Sequence, residues 1–376
     1  LVCSPTMKVS LGGAFTLLWI PLTAFCSITP FSGLLPLAIL SPSLFRAVID
    51  YLQFWYCSGV FLFILNGIHG SEYEITGDVI PADAAVILMA NHRTRCDWMY
   101  IFFLVRQHGC LGTLKIMAKK SLAAAPWCGW GMQLFGYLFL HRDLKRDESH
   151  IRRVMRRYLQ ADYPVKLLLF PEGSDLSDSN IELSHDFSNK RDLPVFDHLL
   201  HPRTHGLRLC LEEMAAEPSQ PRYVMDVTIA YSGYIPATEA GLLLGKGPST
   251  VHIHCKLFPL TDVPSNDEVA LKAWLYERWV EKEATLKTFY EDEAAAKREG
   301  ARLGGGKFVA QKLAPVYVWP TLVLWLVACG ACLYSLYAFA AWRLFFVIAS
   351  LAMFCLTANG GIEQVELASA LGRSSG

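Results

Sequence analysis

The sequence has few charged residues and no net charge. Asp, Glu, Lys and Arg make up 18% of its 376 residues, and the formal net charge at neutral pH is +0. Soluble proteins typically carry about 25% charged residues, so this chain is unusually apolar. Because no excess of basic residues creates a positive field, the charge balance does not favour nucleic-acid binding.

The 11 cysteines show neither a zinc-binding spacing nor a recognisable disulfide framework. The one C-x-x-C pair, Cys329 and Cys332, lies within an apolar run, where small packing residues are a better interpretation than redox or metal ligands. Scattered cysteines are typical of a reducing compartment, which favours a core that faces the cytosol. Internal repeats and long low-complexity tracts are also absent from the sequence.

The apolar residues, 53% of the chain, are concentrated at its two ends. A helix needs about 20 apolar residues to cross a bilayer. The run at 11–40 meets this length, while the run at 47–68 could span, re-enter or lie at the interface. Near the other end, a run that is apolar except for Arg343 fits two spans joined by a tight turn. We therefore predict N-terminal membrane segments within 1–69 and a transmembrane hairpin at 315–358.

Between these ends, apolar strand-like segments alternate with segments of helical periodicity. This alternation predicts an α/β domain over 70–291 with a mostly parallel sheet. A charged segment that contains glycine, 292–314, is expected to be a linker, and 359–376 a C-terminal tail. The expected strands are 84–90, 165–170, 223–231 and 251–258, and the expected helices lie near 97–107, 145–160, 204–216 and 266–290.

Five basic residues precede the first C-terminal span. The positive-inside rule places such residues, and with them the α/β domain, on the cytosolic side of the membrane. They are Lys297, Arg298, Arg302, Lys307 and Lys312.

The first candidate for chemistry follows the strand at 84–90, where the sequence continues as NHRTRCD. Open α/β sheets bind ligands at the carboxyl ends of their strands. With His92 in the turn and Asp97 in the first helical turn, the carboxylate can orient the imidazole as a general base. On this fragment alone, a structural role for both residues is equally acceptable. No G-x-S-x-G nucleophile elbow is present, so such a base would activate a substrate hydroxyl directly.

Two further segments suit an anionic ligand. The strand at 165–170 ends in FPEGS, where Gly173 permits close backbone approach and N–H groups could hold a phosphate or an oxyanion. An ordinary turn is the alternative interpretation. Upstream, GYLFLHR ends in Arg142, whose guanidinium could bind a phosphate, although alone it would more simply be a surface arginine.

Together, the three segments resemble the motifs of the glycerolipid acyltransferase family, which includes the 1-acylglycerol-3-phosphate acyltransferases. The family blocks N-H-x4-D, G-x-x-F-x-x-R and F-P-E-G-[ST] stand here in family order as NHRTRCD, GYLFLHR and FPEGS. The segments NHRTRCDWMY, LHPRTHG and GGIEQVELA further resemble the lysocardiolipin acyltransferase branch. The resemblance covers about residues 50–370 and implies the glycerolipid-acyltransferase type of α/β domain, flanked by transmembrane helices.

The resemblance also implies roles for individual residues. His92 would be the general base, and Asp97 would orient it. The phosphate of the acceptor would lie at the second and third blocks and near a lysine that precedes them. The substrate-binding residues implied in this way are Arg142, Glu172, Gly173, Ser174, Lys119 and Asn91.

Two positions depart from the family pattern. Ser174 replaces the usual threonine and keeps the hydroxyl, whereas Asp175 stands where many members have arginine. We expect Arg203, in HPRTHG, to supply the missing positive charge and to join the substrate-binding residues. The departure concerns recognition of the acceptor more than the type of reaction.

The implied function is transfer of a fatty acyl group from acyl-CoA, a co-substrate, to a lysophospholipid of the lysocardiolipin, lysophosphatidylinositol or lysophosphatidylglycerol type. Neither a metal nor a cofactor is expected, and the implied location is the endoplasmic reticulum membrane with the catalytic domain facing the cytosol. The alternatives are a 1-acylglycerol-3-phosphate acyltransferase that makes phosphatidic acid, a hydrolase of acyl-CoA, and a catalytically silent membrane scaffold. Expected partners are the substrates and membrane lipid, and the sequence does not indicate an oligomeric state.

Overall fold

The computed structural model describes residues 10–216, 221–236, 238–243, 245–295, 303, 309–311 and 315–366. The five basic residues expected on the cytosolic side lie outside these ranges, as does 367–376 of the predicted tail.

The described chain consists of helices at both ends and alternating strands and helices between them. The helices are α1 (Leu11–Ser32), α2 (Leu35–Leu40), α3 (Pro42–Tyr56), α4 (Asp97–Gln107), α5 (Cys128–Leu134), α6 (Leu144–Gln160), α7 (Asp178–Arg191), α8 (His205–Ala216), α9 (Glu239–Leu243), α10 (Glu268–Ala295), α11 (Pro315–Ala338) and α12 (Ala340–Ala358). The strands are β1 (Glu72–Gly77), β2 (Ala85–Ala90), β3 (Leu114–Lys119), β4 (Leu138–Leu140), β5 (Lys166–Leu169), β6 (Arg222–Gly233), β7 (Pro248–Pro259) and β8 (Val309–Gln311).

Four helices among the described residues are long and apolar enough to cross a membrane. They are α1, the helix Pro42–Ile68, in which α3 continues as a wider π-helical segment, and α11 and α12. The run at 47–68 therefore belongs to one helix of sufficient length to span. Large apolar side chains on the C-terminal pair, such as Val327 and Phe354, are exposed, as lipid-facing side chains would be.

The predicted C-terminal hairpin is present, with its turn at Phe339 between α11 and α12. Nη1 of Arg343 donates hydrogen bonds to the carbonyls of Leu336 at 3.0 Å and Tyr337 at 2.8 Å. These carbonyls end α11 and have no partner within their own helix, so the guanidinium caps them. The lone arginine in this apolar run thus stabilises the turn.

The described strands form one eight-stranded sheet in the order β4-β3-β5-β2-β6-β7-β1-β8. Its neighbours are parallel except for the pairs β6–β7 and β1–β8, which confirms the predicted mostly parallel α/β sheet. The four predicted strands correspond to β2, β5, β6 and β7, and the four predicted helices to α4, α6, α8 and α10.

The predicted linker at 292–314 is partly structured. The helix α10 continues to Ala295, and β8 pairs antiparallel with β1 through contacts that include Ile75 with Val309. The sheet of the α/β domain therefore includes residues 309–311.

The strand β2 is apolar throughout because both faces of the sheet are covered. Val86, Leu88 and Ala90 join a core with α4 and the membrane helices, while Ile87 and Met89 join a core with α6, α8 and α10. Parallel strands buried on both faces characteristically form continuous apolar runs. The sheet thus separates the membrane-facing half of the protein from the other half.

Strand register places the chemistry-bearing residues on one edge. The parallel strands β2, β3, β4 and β5 have their carboxyl ends at this edge. The strand β6 pairs with β2 from Ala85–Arg222 to Ala90–Val227 and then continues to Gly233. Its last residues therefore extend beyond β2, alongside the turn that contains His92.

Candidate active site

The two residues of the predicted catalytic pair are in contact. His92 lies in the turn after β2, Asp97 is the first residue of α4, and Nδ1 of His92 is 2.9 Å from Oδ2 of Asp97. The imidazole side chain is 17% exposed, whereas the carboxylate side chain is fully buried. This contact directs Nδ1–H toward Asp97 and leaves Nε2 as the nitrogen that can accept a proton.

The surroundings of His92 favour its protonation. Burial by itself lowers the pKa of the imidazole, but the hydrogen bond and charge of Asp97, together with the charges of Glu172 and Asp175, raise the pKa above its usual value. A base with a raised pKa accepts a proton from a hydroxyl more readily.

Asp97 is held by further donors. The backbone N–H of Thr94 donates to Oδ2 at 3.0 Å, and the hydroxyl of Tyr231, near the end of β6, donates to Oδ1. A buried carboxylate is tolerated when it is paired and hydrogen-bonded. With both oxygens engaged, the carboxylate has a fixed orientation toward His92.

Phe170 and Glu172 hold the His92 turn from the side of β5. The ring of Phe170 stacks on the imidazole, with centroids 4.2 Å apart. Oε1 of Glu172 accepts the backbone N–H of His92 at 3.0 Å, and Oε2 accepts that of Leu200 at 3.0 Å. Glu172 is buried with both oxygens engaged, so these bonds hold the His92 turn in position, and its predicted contact with substrate stays a prediction.

The Glu172 carboxyl has an unusual environment. Burial raises the pKa of Glu172 to about 7, although the N–H groups of Leu200 and His92 oppose this effect by stabilising the ionised form. Each oxygen serves one of two segments that come from different parts of the chain. The carboxyl therefore connects the turns after β2 and β5 to the segment before α8.

Asn91 also has a positioning role. Its Nδ2 donates to the carbonyl of Ile229 at 3.0 Å, and its Oδ1 accepts the N–H of Ile229 at 2.8 Å. The side chain thus continues the pairing of β2 with β6 beyond Ala90. Asn91 is buried and its amide links the two strands, and its predicted contact with substrate stays a prediction.

Arg142, Gly173 and Arg203 lie together at the exposed side of the site. Nη2 of Arg142 donates to the carbonyl of Gly173 at 3.3 Å, and a β-carbon on Gly173 would lie 3.6 Å from the Arg203 guanidinium. The φ of Gly173 is +75°, a conformation that glycine adopts without strain. Both arginines are exposed, and we call them the cationic rim. Arg203 is thus placed where it can supply the charge that Asp175 does not.

The two residues after Gly173 have their own partners. Oγ of Ser174 accepts a hydrogen bond from Nδ2 of Asn180 at 2.9 Å, which leaves the Ser174 hydroxyl proton for a ligand. The Asp175 carboxylate lies 3.7 Å from Nε of Arg95. This ion pair offsets the negative charge at the position where many family members have arginine.

Lys119 is the last residue of β3, pairs with Leu140 of β4 and is exposed at the same edge of the sheet. The neighbouring Lys120 points elsewhere, since its Nζ donates to the carbonyl of Gly360 at 3.2 Å. Of the two lysines, Lys119 is therefore the one at the strand edge where His92 and the cationic rim lie.

An apolar cavity of about 50 Å³ lies between the membrane helices and the catalytic domain. Trp98, adjacent to Asp97 in sequence, is among the residues that line it. The first turn of α4 thus contributes Asp97 to the predicted catalytic pair and Trp98 to the wall of the cavity. The other lining residues include Ile28, Tyr56, Phe61, Phe102 and Phe135.

Tyr231 is the functional candidate that the motifs did not identify. The only sequence signal is a tyrosine near the end of the strand-like segment YVMDVTIAY. Its partner Asp97 is 134 residues away, so the contact exists only once β6 lies beside β2.

Comparison with known proteins gives matches over the same regions. A family model described as Acyltransferase matches residues 72–231, and one described as Acyltransferase C-terminus matches residues 241–307. Lysocardiolipin acyltransferase 1 of Mus musculus is 34% identical over 357 residues, covering 92% of this chain and 91% of that protein. Lysophosphatidylinositol acyltransferase 10 of Caenorhabditis elegans is 30% identical, with 80% and 78% covered. A probable 1-acyl-sn-glycerol-3-phosphate acyltransferase 5 of Arabidopsis thaliana is 32% identical, with 75% and 74% covered.

Proposed function

The chain belongs to the acyltransferase family, and we propose that it transfers a fatty acyl group from acyl-CoA to the free hydroxyl of a lysophospholipid. The resemblance seen in the three motifs is thereby confirmed. The names of the mouse and nematode relatives support a lysophospholipid as acceptor. The observation that carries the proposal is the contact between His92 and Asp97 at a strand edge that also bears the cationic rim. Trp98, the residue after Asp97, lines the apolar cavity.

The mechanism requires one proton relay. Nε2 of His92 removes the proton from the acceptor hydroxyl, and the hydroxyl oxygen attacks the thioester carbonyl. Asp97 stabilises the resulting imidazolium. The carbon–sulfur bond then breaks, and the CoA thiolate takes the proton from His92. Acyl transfer is direct, and neither a metal nor a prosthetic group takes part.

The surroundings of His92 suit the two parts of a lysophospholipid. The cationic rim provides two guanidinium groups, which bind phosphate oxygens through charge-assisted hydrogen bonds. Ser174 adds a hydroxyl donor, and Lys119 a further positive charge. Apolar membrane helices adjoin the catalytic domain, so that acceptor and product can remain in the bilayer. We place the protein in the endoplasmic reticulum membrane with this domain facing the cytosol.

A panel assay tests the proposal. Purified wild-type protein in nanodiscs would be given labelled oleoyl-CoA and, one at a time, lysocardiolipin, lysophosphatidylinositol, lysophosphatidylglycerol and 1-acylglycerol-3-phosphate. With at least one of the first three acceptors, we expect a labelled phospholipid that has one more acyl chain than the acceptor and that is lost in His92→Ala. Preference for 1-acylglycerol-3-phosphate would indicate a phosphatidic-acid-forming enzyme. Release of free fatty acid alone would indicate a hydrolase, and no turnover with any acceptor would favour a scaffold.

A further inference from the structure

A tyrosine from a distant strand contacts the buried side of the catalytic pair. The hydroxyl of Tyr231 donates to Oδ1 of Asp97, while Nδ1 of His92 faces Oδ2 of the same carboxylate. Tyr231 is fully buried. The three side chains therefore form a continuous chain from the protein interior to the partly exposed imidazole.

The position of Tyr231 is fixed by its neighbours. Tyr100 of α4 packs edge-on against its ring, with centroids 5.3 Å apart. The backbone N–H of Tyr231 donates to the hydroxyl of Tyr290 on α10 at 3.3 Å. Asn91 pairs with Ile229 two residues earlier and so aligns this end of β6 with the His92 turn. The contact with Asp97 is thus supported from three elements.

The direction of the hydrogen bond follows from the two groups. An ionised carboxylate only accepts, so the phenol must donate. Burial and the charge of Asp97 raise the pKa of Tyr231 well above its usual value, which keeps its proton in place. The phenol therefore supplies a permanent donor to Asp97.

We propose that Tyr231 is a positioning residue for acyl transfer, acting through Asp97 to set the orientation and basicity of His92. The inference rests on the proposed function. The donated hydrogen bond withdraws charge from the carboxylate, so that Asp97 attracts the proton of the imidazolium less strongly. His92 is thereby able to accept a proton from the hydroxyl and to return it to the leaving thiolate.

The pH dependence of the reaction reports this role because Tyr231→Phe removes only the hydrogen bond to Asp97 and leaves the other groups around the pair in place. Without the Tyr231 donor, Asp97 keeps more negative charge and stabilises protonated His92. The loss of activity at low pH, which is the acid limb of the pH–rate profile, therefore moves to higher pH. The titratable or charged groups that face His92 and Asp97 are Glu172 and Asp175 after β5, Arg95 and Cys96 before α4, Tyr100 on α4 and Tyr231 on β6.

The test compares Tyr231→Phe with Tyr73→Phe in the full-length protein. Tyr73 of β1 is also buried, and its hydroxyl has no hydrogen-bond partner among the described residues, so its substitution removes a phenol oxygen that has no contact with the pair. We expect kcat/KM for acyl transfer to fall about tenfold in Tyr231→Phe, with the acid limb at higher pH than in wild type. Tyr73→Phe should keep the wild-type rate and profile.

A second substitution strengthens the hydrogen bond and keeps the tyrosine shape. Site-specific replacement of Tyr231 by 3-fluorotyrosine makes the phenol a stronger donor and should move the acid limb to lower pH, opposite to Tyr231→Phe. This variant also serves if Tyr231→Phe does not fold. If wild type and every folded Tyr231 variant have the same pH profile while His92 is still required, the role of Tyr231 is overturned and the proposed function is not. Acyl transfer that persists in His92→Ala would instead overturn the proposed function.

Discussion

The basicity of His92 depends on a balance between burial and the charge of Asp97. A general base must be neutral in the free enzyme, so kcat/KM should fall as the pH drops through a His92 pKa that is higher than usual. Asp97→Asn removes the group that raises the pKa of His92 most and leaves the burial that lowers it. We therefore expect the acid limb to move to lower pH and kcat to fall by about 10²- to 10⁴-fold.

The pH dependence of kcat/KM across the neutral range measures this effect. Asp186→Asn, at an exposed position of α7, is the matched control and should behave as wild type. An acid limb that does not move in Asp97→Asn would show that another group sets the protonation of His92.

The cationic rim should affect acceptor binding more than chemistry. Arg142→Gln and Arg203→Gln each remove one charge beside Gly173 and should raise the KM for the lysophospholipid about tenfold, the effect of losing one charge-assisted hydrogen bond. The KM for acyl-CoA should change little. Initial rates with each substrate varied in turn measure both constants.

Arg153→Gln provides the control for the rim because Arg153 is exposed on α6. Equal KM values for all three arginine variants would contradict a role of the rim in phosphate binding. A rise in the KM for acyl-CoA alone would assign the rim to the CoA phosphates.

The residue-level chemistry was predictable where it depends on short sequence spacing. His92 and Asp97 are five positions apart and meet within one turn and the start of one helix. The roles of Asn91, Glu172 and Tyr231 were not predictable, because their partners lie between 28 and 138 residues away in the chain. A buried polar residue in a motif can thus serve a distant strand.

Glu172 connects loops that would otherwise move independently. In Glu172→Gln one acceptor oxygen becomes a donor amide, which cannot accept the N–H of both His92 and Leu200. We expect a roughly tenfold lower kcat and faster hydrogen exchange at one or both of these amides. Glu182→Gln, at an exposed position of α7, should change neither quantity. Unchanged exchange at both amides would contradict the proposed link.

The segment after α12 is bound to the catalytic domain by buried charges. The Glu366 carboxylate forms ion pairs with Arg46 of α3 and, at 2.7 Å, with Arg157 of α6. Glu363 lies 3.2 Å from His150, and the N–H of Ile362 donates to Gln133. The described residues 359–366 therefore connect the last membrane helix to the catalytic domain.

Glu366→Ala should destabilise this connection strongly. It leaves the buried Arg46 and the partly buried Arg157 without this carboxylate, a change that is much more costly than loss of an exposed pair. We expect the thermal midpoint in detergent to fall by roughly 5 °C or more. The exposed pair of Lys287 and Glu291 supplies the control, and Glu291→Ala should leave the midpoint within about 1 °C of wild type. A similar midpoint for both variants would show that Glu366 contributes little.

Elements were predictable from sequence when they were long or strongly apolar. The four predicted strands include the buried β2 and the long β6, whose apolar runs are distinctive. The strand β3 was not predicted because its sequence, LKIMAK, contains two lysines among its apolar residues, and β4 was missed because it is only three residues long. The helix α7 was also missed, since most of its side chains are polar and it buries only Ser184 and Ser188. Short or polar elements depend on tertiary contacts that sequence periodicity does not show.

The proposed cytosolic orientation can be tested at the scale of the whole molecule. The hairpin of α11 and α12 returns the chain to the side from which it entered, which allows Glu366 to meet Arg157 of the catalytic domain. An epitope inserted between the exposed residues Pro194 and Val195 should be accessible when only the plasma membrane is permeabilised. An epitope at Phe339 should require permeabilisation of internal membranes. Accessibility of both epitopes under the first condition would contradict the hairpin topology.

The central claim is that His92 is the general base of acyl transfer, and its most direct test is the initial rate of His92→Ala. His108→Ala is the matched control, because His108 is at the opposite end of α4 from Asp97 and its Nδ1 lies 3.0 Å from the carbonyl of Leu104 in the same helix. With saturating oleoyl-CoA and the preferred acceptor in nanodiscs, we predict a loss of about a thousandfold in His92→Ala and a wild-type rate in His108→Ala. A folded His92→Ala protein that retains more than about a tenth of the wild-type rate would contradict the claim.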